Sequence, residues 1–75
     1  MIEYYVILRR KARDVCVFRD EDKQKAVEFM RDYVKRNGFT IIEKDGRFTV
    51  SDVVLSERES IVNGRVLSET SYVNF

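Results

Sequence analysis

One segment of this sequence, residues 20–38, carries the pattern of an amphipathic helix and has strand-like patterns on both sides. Its apolar side chains fall within roughly 160° of a helical wheel at about 100° per residue. Asp20 is the predicted N-cap, and Gly38 is the predicted stop just past the C-terminus. A lone helix of this kind must bury its apolar stripe against whatever the flanking segments form.

Two apolar runs precede the helix, at residues 2–8 and 15–18. Both are rich in β-branched and aromatic residues, a composition that favours strands. A turn centred on residues 11–12 joins them into a hairpin. The predicted cross-strand pairs are Leu8 with Val15, Val6 with Val17, and Tyr5 with Phe18.

Strand patterns return after the helix, at residues 39–43 and 47–55. The turn between them has two readings. If Gly46 takes the left-handed position after a type I turn, Glu43 faces Arg47, whereas a two-residue Asp45-Gly46 turn gives a different register.

Asn63-Gly64 is the strongest hairpin signal in the chain, because both central residues of a type I′ turn need positive φ. It predicts two long final strands. The pairs it implies are Ile61 with Val66, Arg58 with Glu69, Leu55 with Tyr72, and Val54 with Val73.

The order β-β-α-β-β-β predicts the α+β class, with a single amphipathic helix packed on a four- to five-stranded antiparallel sheet that can curl toward a half-barrel. Residues 1–75 are long enough for a single domain. Both groups of strands are expected in one sheet.

Composition excludes most familiar enzyme chemistry. The chain has no His, which removes Ser-His-Asp and Cys-His catalysis and any zinc site with His ligands. Its one Cys, Cys16, cannot close an intramolecular disulfide, so we expect a reducing, cytoplasmic location. No apolar run reaches the length of a membrane span. We therefore expect no catalytic, metal or cofactor-binding residues, no cofactor and no membrane partner.

The first strand is apolar on both sides. Tyr5 and Ile7 point to one side, and the other side is formed by Ile2, Tyr4, Val6 and Leu8. A helix about 10 Å across covers the width of only some two strands, so a second apolar face needs its own cover. Three arrangements supply that cover: a curled sheet, a second copy of the chain, or docking of another protein.

These patterns predict a small binding protein that is not an enzyme, of the regulatory or inhibitory type common in phages and mobile elements. The expected partner is another protein or a second copy in a homodimer. The contact would use the exposed sheet face and the hairpin at 61–67. Its candidate residues are Tyr5, Ile7, Ile61, Val62, Val66 and Leu67.

The alternative partner is nucleic acid. Residues 9–13 hold the densest cluster of positive charge, at the tip of the first hairpin, where a β-ribbon can contact phosphates. The candidate residues are Arg9, Arg10, Lys11 and Arg13. A solvated turn is the more common explanation of such charges, and the aromatic residues Tyr4, Tyr5 and Phe18 are better explained by a core than by a base-stacking platform.

Overall fold

The computed structural model describes the backbone of residues 1–59 and 65–73, and the side chains of residues 1–59 and 65–71. The predicted α+β class is confirmed. The elements are β1 (Ile2–Leu8), β2 (Val15–Asp20), α1 (Lys23–Asn37), β3 (Ile41–Lys44), β4 (Arg47–Val50), β5 (Val53–Glu59), β6 (Arg65–Thr70) and β7 (Tyr72–Val73).

The described strands form two antiparallel sheets, so the expectation of one common sheet is wrong. The main sheet has the order β2-β1-β5-β6, and the second has the order β3-β4-β7. The cause is a break at Ser51 and Asp52, where the predicted strand 47–55 divides into β4 and β5. Val50 N donates to Ser71 O at 3.0 Å beside this break, and Arg9 N donates to Asp52 O at 2.8 Å.

The helix begins two residues later than predicted. Asp22, and not Asp20, is the N-cap, and its carboxylate accepts from the backbone N–H groups of Gln24 and Lys25. Asp20 ends β2 and accepts from Asp22 N at 2.7 Å. The C-terminal prediction is confirmed, because Gly38 has a left-handed φ of 64°.

The core lies between α1 and one face of the main sheet. Met30 and Val34 of α1 are buried there with Val6 and Leu8 of β1. The remaining buried members of the cluster are Ala26, Val50, Val53 and Leu55. One aromatic pair extends this core, since Phe18 of β2 stacks on Phe29 of α1 with ring centroids 4.4 Å apart.

The hairpin of β1 and β2 follows the predicted register only near its loop. Leu8 lies opposite Val15 as predicted, but a bulge at Val17 shifts the rest by one residue. Val6 therefore pairs with Phe18, and Tyr5 pairs with Arg19. A bulge places an extra residue on one strand, so every side chain beyond it changes partner.

The turn between β3 and β4 is the two-residue one. Lys44 pairs with Arg47, which leaves Asp45 and Gly46 at the turn. Both have positive φ, 53° and 76° respectively. This is the geometry that a type I′ turn requires.

The predicted register of the last hairpin is wrong. Leu55 pairs with Thr70 instead of Tyr72, and Arg58 pairs with Val66 instead of Glu69. One part of the reason is the break at residues 51–52, because β7 pairs with β4 in the second sheet. The other part is a second bulge, at Leu67 of β6. The predicted Asn63-Gly64 turn lies outside the described residues.

Candidate functional site

The candidate site is the face of the main sheet that points away from α1, called here the second face. Side chains alternate along strands, so the residues flanking the core positions point to this face. The cross-strand pairing assigns to it Glu3, Tyr5 and Ile7 of β1, Cys16 and Arg19 of β2, Val54, Ser56 and Arg58 of β5, and Val66 and Glu69 of β6.

Ile7 is buried within the second face. Its side chain is only 4% exposed although it lies outside the core cluster under α1. Its neighbours across the sheet are Cys16 on one side and Val54 on the other. Ile7 therefore packs beneath the surface of the second face. Other side chains form the part of this face that is exposed to solvent.

Tyr5 is covered by two arginines from neighbouring strands. The guanidinium carbon of Arg58 lies 4.8 Å from the centroid of the Tyr5 ring, and that of Arg19 lies 5.7 Å from it. Arg58 Nε also donates to Ser56 Oγ at 3.0 Å. These contacts hold the Arg58 head over the ring, in the geometry of a cation–π interaction.

The two arginines differ in how their charge is balanced. Arg19 Nε lies 3.1 Å from Glu3 Oε2. That oxygen is buried and accepts no hydrogen bond within the described residues, so this contact is an ion pair of poor hydrogen-bond geometry. A hydrogen bond with Tyr5, followed by the Glu3 charge, raises the pKa of Arg19. Arg58 makes no ion pair with any described residue.

Arg9, at the edge of the second face, is also paired. Its Nη2 lies 3.5 Å from Glu69 Oε2. Since β5 lies between β1 and β6, this pair reaches across the sheet, and both residues border a shallow pocket together with Val54. Both side chains are substantially exposed, so the pair contributes little to stability.

The remaining cations of the first hairpin lie in the loop between β1 and β2. Arg10, Lys11 and Arg13 are exposed and form no ion pair in the described part of the chain. The loop also contains Asp14. The predicted basic tip is thus present at one end of the main sheet as a solvated cluster.

The outer strand β6 presents two consecutive aliphatic side chains to solvent. Val66 is 47% exposed, and Leu67, the bulged residue, is 39% exposed. Val66 lies directly opposite Arg58, so it adjoins the arginine that covers Tyr5. The other two predicted residues of this hairpin, Ile61 and Val62, lie outside the described residues.

No base-stacking platform is formed by Tyr4, Tyr5 and Phe18. Tyr4 and Phe18 pack against the core under α1, on the face opposite Tyr5. Burial, with a smaller effect of the neighbouring Glu57 carboxylate, raises the pKa of Tyr4. This position makes Tyr4 part of the packing between sheet and helix.

Arg19 and Arg58 are the site residues that the sequence reasoning missed. The predicted pairing of Tyr5 with Phe18 places Arg19 elsewhere, because it allows for no bulge. The predicted ion pair of Arg58 with Glu69 depends on a register that is wrong. The usable signal was the enrichment of Arg and Tyr at protein interfaces, which makes any Arg beside Tyr5 a candidate.

The described residues contain neither a metal-binding cluster nor a helix that could span a membrane. No three Cys, Asp or Glu side chains in residues 1–59 and 65–71 lie together as a metal-binding group. In the same part of the chain, α1 falls short of the length and apolar character that crossing a bilayer requires.

The chain was also compared with known proteins. No protein-family model, no curated protein and no solved structure matches it.

Proposed function

We propose that this protein is a binding protein without catalytic activity, and that it docks another protein through the second face and the adjoining strand β6. Regulation or inhibition of that partner is the proposed role. The single observation that carries the proposal is the exposure of Val66 and Leu67 side by side on an outer strand. We also propose a cytoplasmic location, because the exposed Cys16 is a free thiol.

The exposed Val66 matters here because it lies directly opposite Arg58, which covers Tyr5. Single apolar residues are common on protein surfaces and need no explanation. Tyr and Arg, however, are enriched among the residues that dominate binding energy, and they act best beside apolar contacts that exclude water. Tyr5, Arg58 and Val66 lie together in this way on neighbouring strands.

A pull-down from lysate of the source organism tests this proposal. The test variant is Val66→Asp with Leu67→Asp, which places charge on the proposed contact. Loss of a central interface contact typically weakens binding by about 2 kcal/mol or more, so we expect capture to fall by at least about tenfold.

The second sheet supplies a matched control. Ile41→Asp with Ile42→Asp makes the same change at consecutive residues of the outer strand β3, which are 40% and 54% exposed. Circular dichroism must show that both variants are folded. Equal loss of capture in the two variants, or no loss in either, contradicts the proposed surface. A mass of twice the monomer by light scattering, abolished only by the β6 variant, identifies the partner as a second copy.

A second candidate function is nucleic-acid binding through the basic loop. The observation that favours it is that Arg10, Lys11 and Arg13 are exposed and without an ion pair among the described residues. Solvated cations of this kind contact phosphates and release counterions. The missing base-stacking platform limits this function to backbone contacts without sequence preference.

Salt dependence tests the second candidate. Replacement of Arg10, Lys11 and Arg13 by Gln removes three cations from the loop. For a single-stranded oligonucleotide, the slope of log K against log salt concentration should become less steep by about 2. An unchanged slope, or no binding by the wild type at low salt, contradicts the role of the loop.

A further inference from the structure

Arg58 is the one second-face arginine without a carboxylate partner among the described residues. Arg19 is paired with Glu3, and Arg9 with Glu69. Arg58 is nevertheless half-buried on β5, an inner strand of the main sheet. A cation that is partly withdrawn from water loses hydration, and this loss is compensated only by an anion or by hydrogen bonds.

The contacts of Arg58 orient its head but include no salt bridge. Glu3 lies directly opposite Arg58 on β1, but its carboxylate pairs with Arg19. Its Nε donates to Ser56 Oγ, which belongs to a fully buried residue, and its plane adjoins the Tyr5 ring. An arginine held through Nε keeps the two terminal amino groups for a ligand. These groups match the two oxygens of a carboxylate, and a head already held in place loses less rotamer entropy on binding.

We propose that Arg58 binds a carboxylate of the docked protein, an Asp or Glu side chain in an acidic segment of the partner. The inference rests on the proposed function and deepens it. The surrounding charge favours such a segment. The second face, Arg9 at its edge and the loop at residues 10–14 together hold six cations and three anions, so they carry a net charge of +3, whereas the whole chain carries +1.

The neighbours of Arg58 favour a protein segment over nucleic acid. Val66 lies opposite Arg58 and presents an exposed aliphatic surface, which suits an apolar side chain next to the acidic one. The Tyr5 ring is covered by Arg58 and Arg19, which disfavours base stacking on it.

Nuclear magnetic resonance titration with a capped hexaglutamate peptide tests the inference. The side-chain Nε–H resonance of Arg58 and the ring resonances of Tyr5 should shift and saturate together. Arg58→Lys keeps the charge but loses the planar fork, so we expect affinity for the peptide to fall by about tenfold, as for one charge-assisted hydrogen bond. Lys25→Gln, which removes an exposed cation from α1 on the opposite side of the main sheet, is the control and should change the affinity by less than about twofold.

Three results overturn the inference. One is an unchanged Arg58 resonance at saturating peptide, and another is an equal effect of Arg58→Lys and Lys25→Gln. The third is tighter binding of a deoxythymidine oligonucleotide at the same resonances. The pull-down separates this inference from the function on which it rests. Capture that is lost with the β6 variant but kept with Arg58→Lys leaves the docking surface in place and removes the role of Arg58.

Discussion

The Arg58 guanidinium lies over the Tyr5 ring, 4.8 Å from its centroid, although the two residues are 53 positions apart in sequence. The contact exists because β5 pairs with β1 in a register that puts Tyr5 opposite Ser56, the residue that also fixes Arg58 Nε. It joins the first strand of the chain to the strand that follows the break at residues 51–52.

This contact should be measurable as a coupling energy. In a double-mutant cycle of Tyr5→Leu and Arg58→Gln, we expect about 0.5–1 kcal/mol of interaction free energy, the range for a cation–π pair that is not fully buried. Urea unfolding of the four proteins measures it. The cycle of Tyr5→Leu with Lys11→Gln is the control and should be additive. Additivity in the Arg58 cycle as well contradicts an energetic role for the contact.

The position of the N-cap has a direct consequence for stability. Asp22→Ala removes the carboxylate that accepts from the Gln24 and Lys25 backbone N–H groups, so we expect a loss of about 1 kcal/mol. Glu21→Ala, one residue earlier, is the control and should change the free energy of unfolding by less than about 0.5 kcal/mol. Chemical denaturation distinguishes the two. A larger effect at Glu21 would place the start of the helix elsewhere.

The core beneath α1 should be sensitive to lost volume. Met30 is 2% exposed, and Met30→Ala should lower the free energy of unfolding by roughly 2–5 kcal/mol, a large part of the stability of so small a domain. Leu67→Ala, at the exposed bulge of β6, should cost less than about 1 kcal/mol. Similar losses in both variants, measured by thermal and urea unfolding, would contradict the assignment of the core to the helix side of the sheet.

Alkaline pH should destabilise the fold through Tyr4. Burial and the Glu57 carboxylate raise the pKa of Tyr4 above 10.0, so the folded state favours the protonated hydroxyl. The resulting stability is fully present below pH 10.0 and is lost as the pH rises through the folded-state pKa. Tyr4→Phe should therefore flatten the decline of the melting temperature between about pH 9 and pH 11.

Tyr33→Phe is the control for this pH dependence. It keeps the phenol at position 4 and should retain the wild-type decline. An equally steep decline in Tyr4→Phe would mean that another group is responsible.

The sequence predicted the elements of the fold better than their partners. Helix periodicity and the left-handed glycine at 38 are local properties, and they identified α1 and its C-terminus. The positions of the two bulges, in contrast, are not local properties. Packing across the sheet decides whether Val17 or Leu67 forms a bulge or a regular cross-strand pair. A single sequence does not show that packing.

These registers also explain why the candidate site was only partly predicted. The sequence predicts three described site residues from their apolar character and their position on strands, namely Tyr5, Val66 and Leu67. Arg19 reaches the second face because the bulge at Val17 moves it opposite Tyr5. Arg58 adjoins Val66 because of the bulge at Leu67. A sequence pattern that assumes strict alternation cannot predict side chains that reach a face because of a bulge.

Both outer strands of the main sheet carry a bulge, β2 at Val17 and β6 at Leu67. A regular outer strand offers an evenly spaced row of backbone groups on which further chains can build, which is how fibres begin. An irregular outer strand offers a poor template for such growth. The two outer strands should therefore resist edge-to-edge stacking of further copies, and concentrated solutions should stay free of thioflavin-positive aggregates even though aliphatic side chains line the edge.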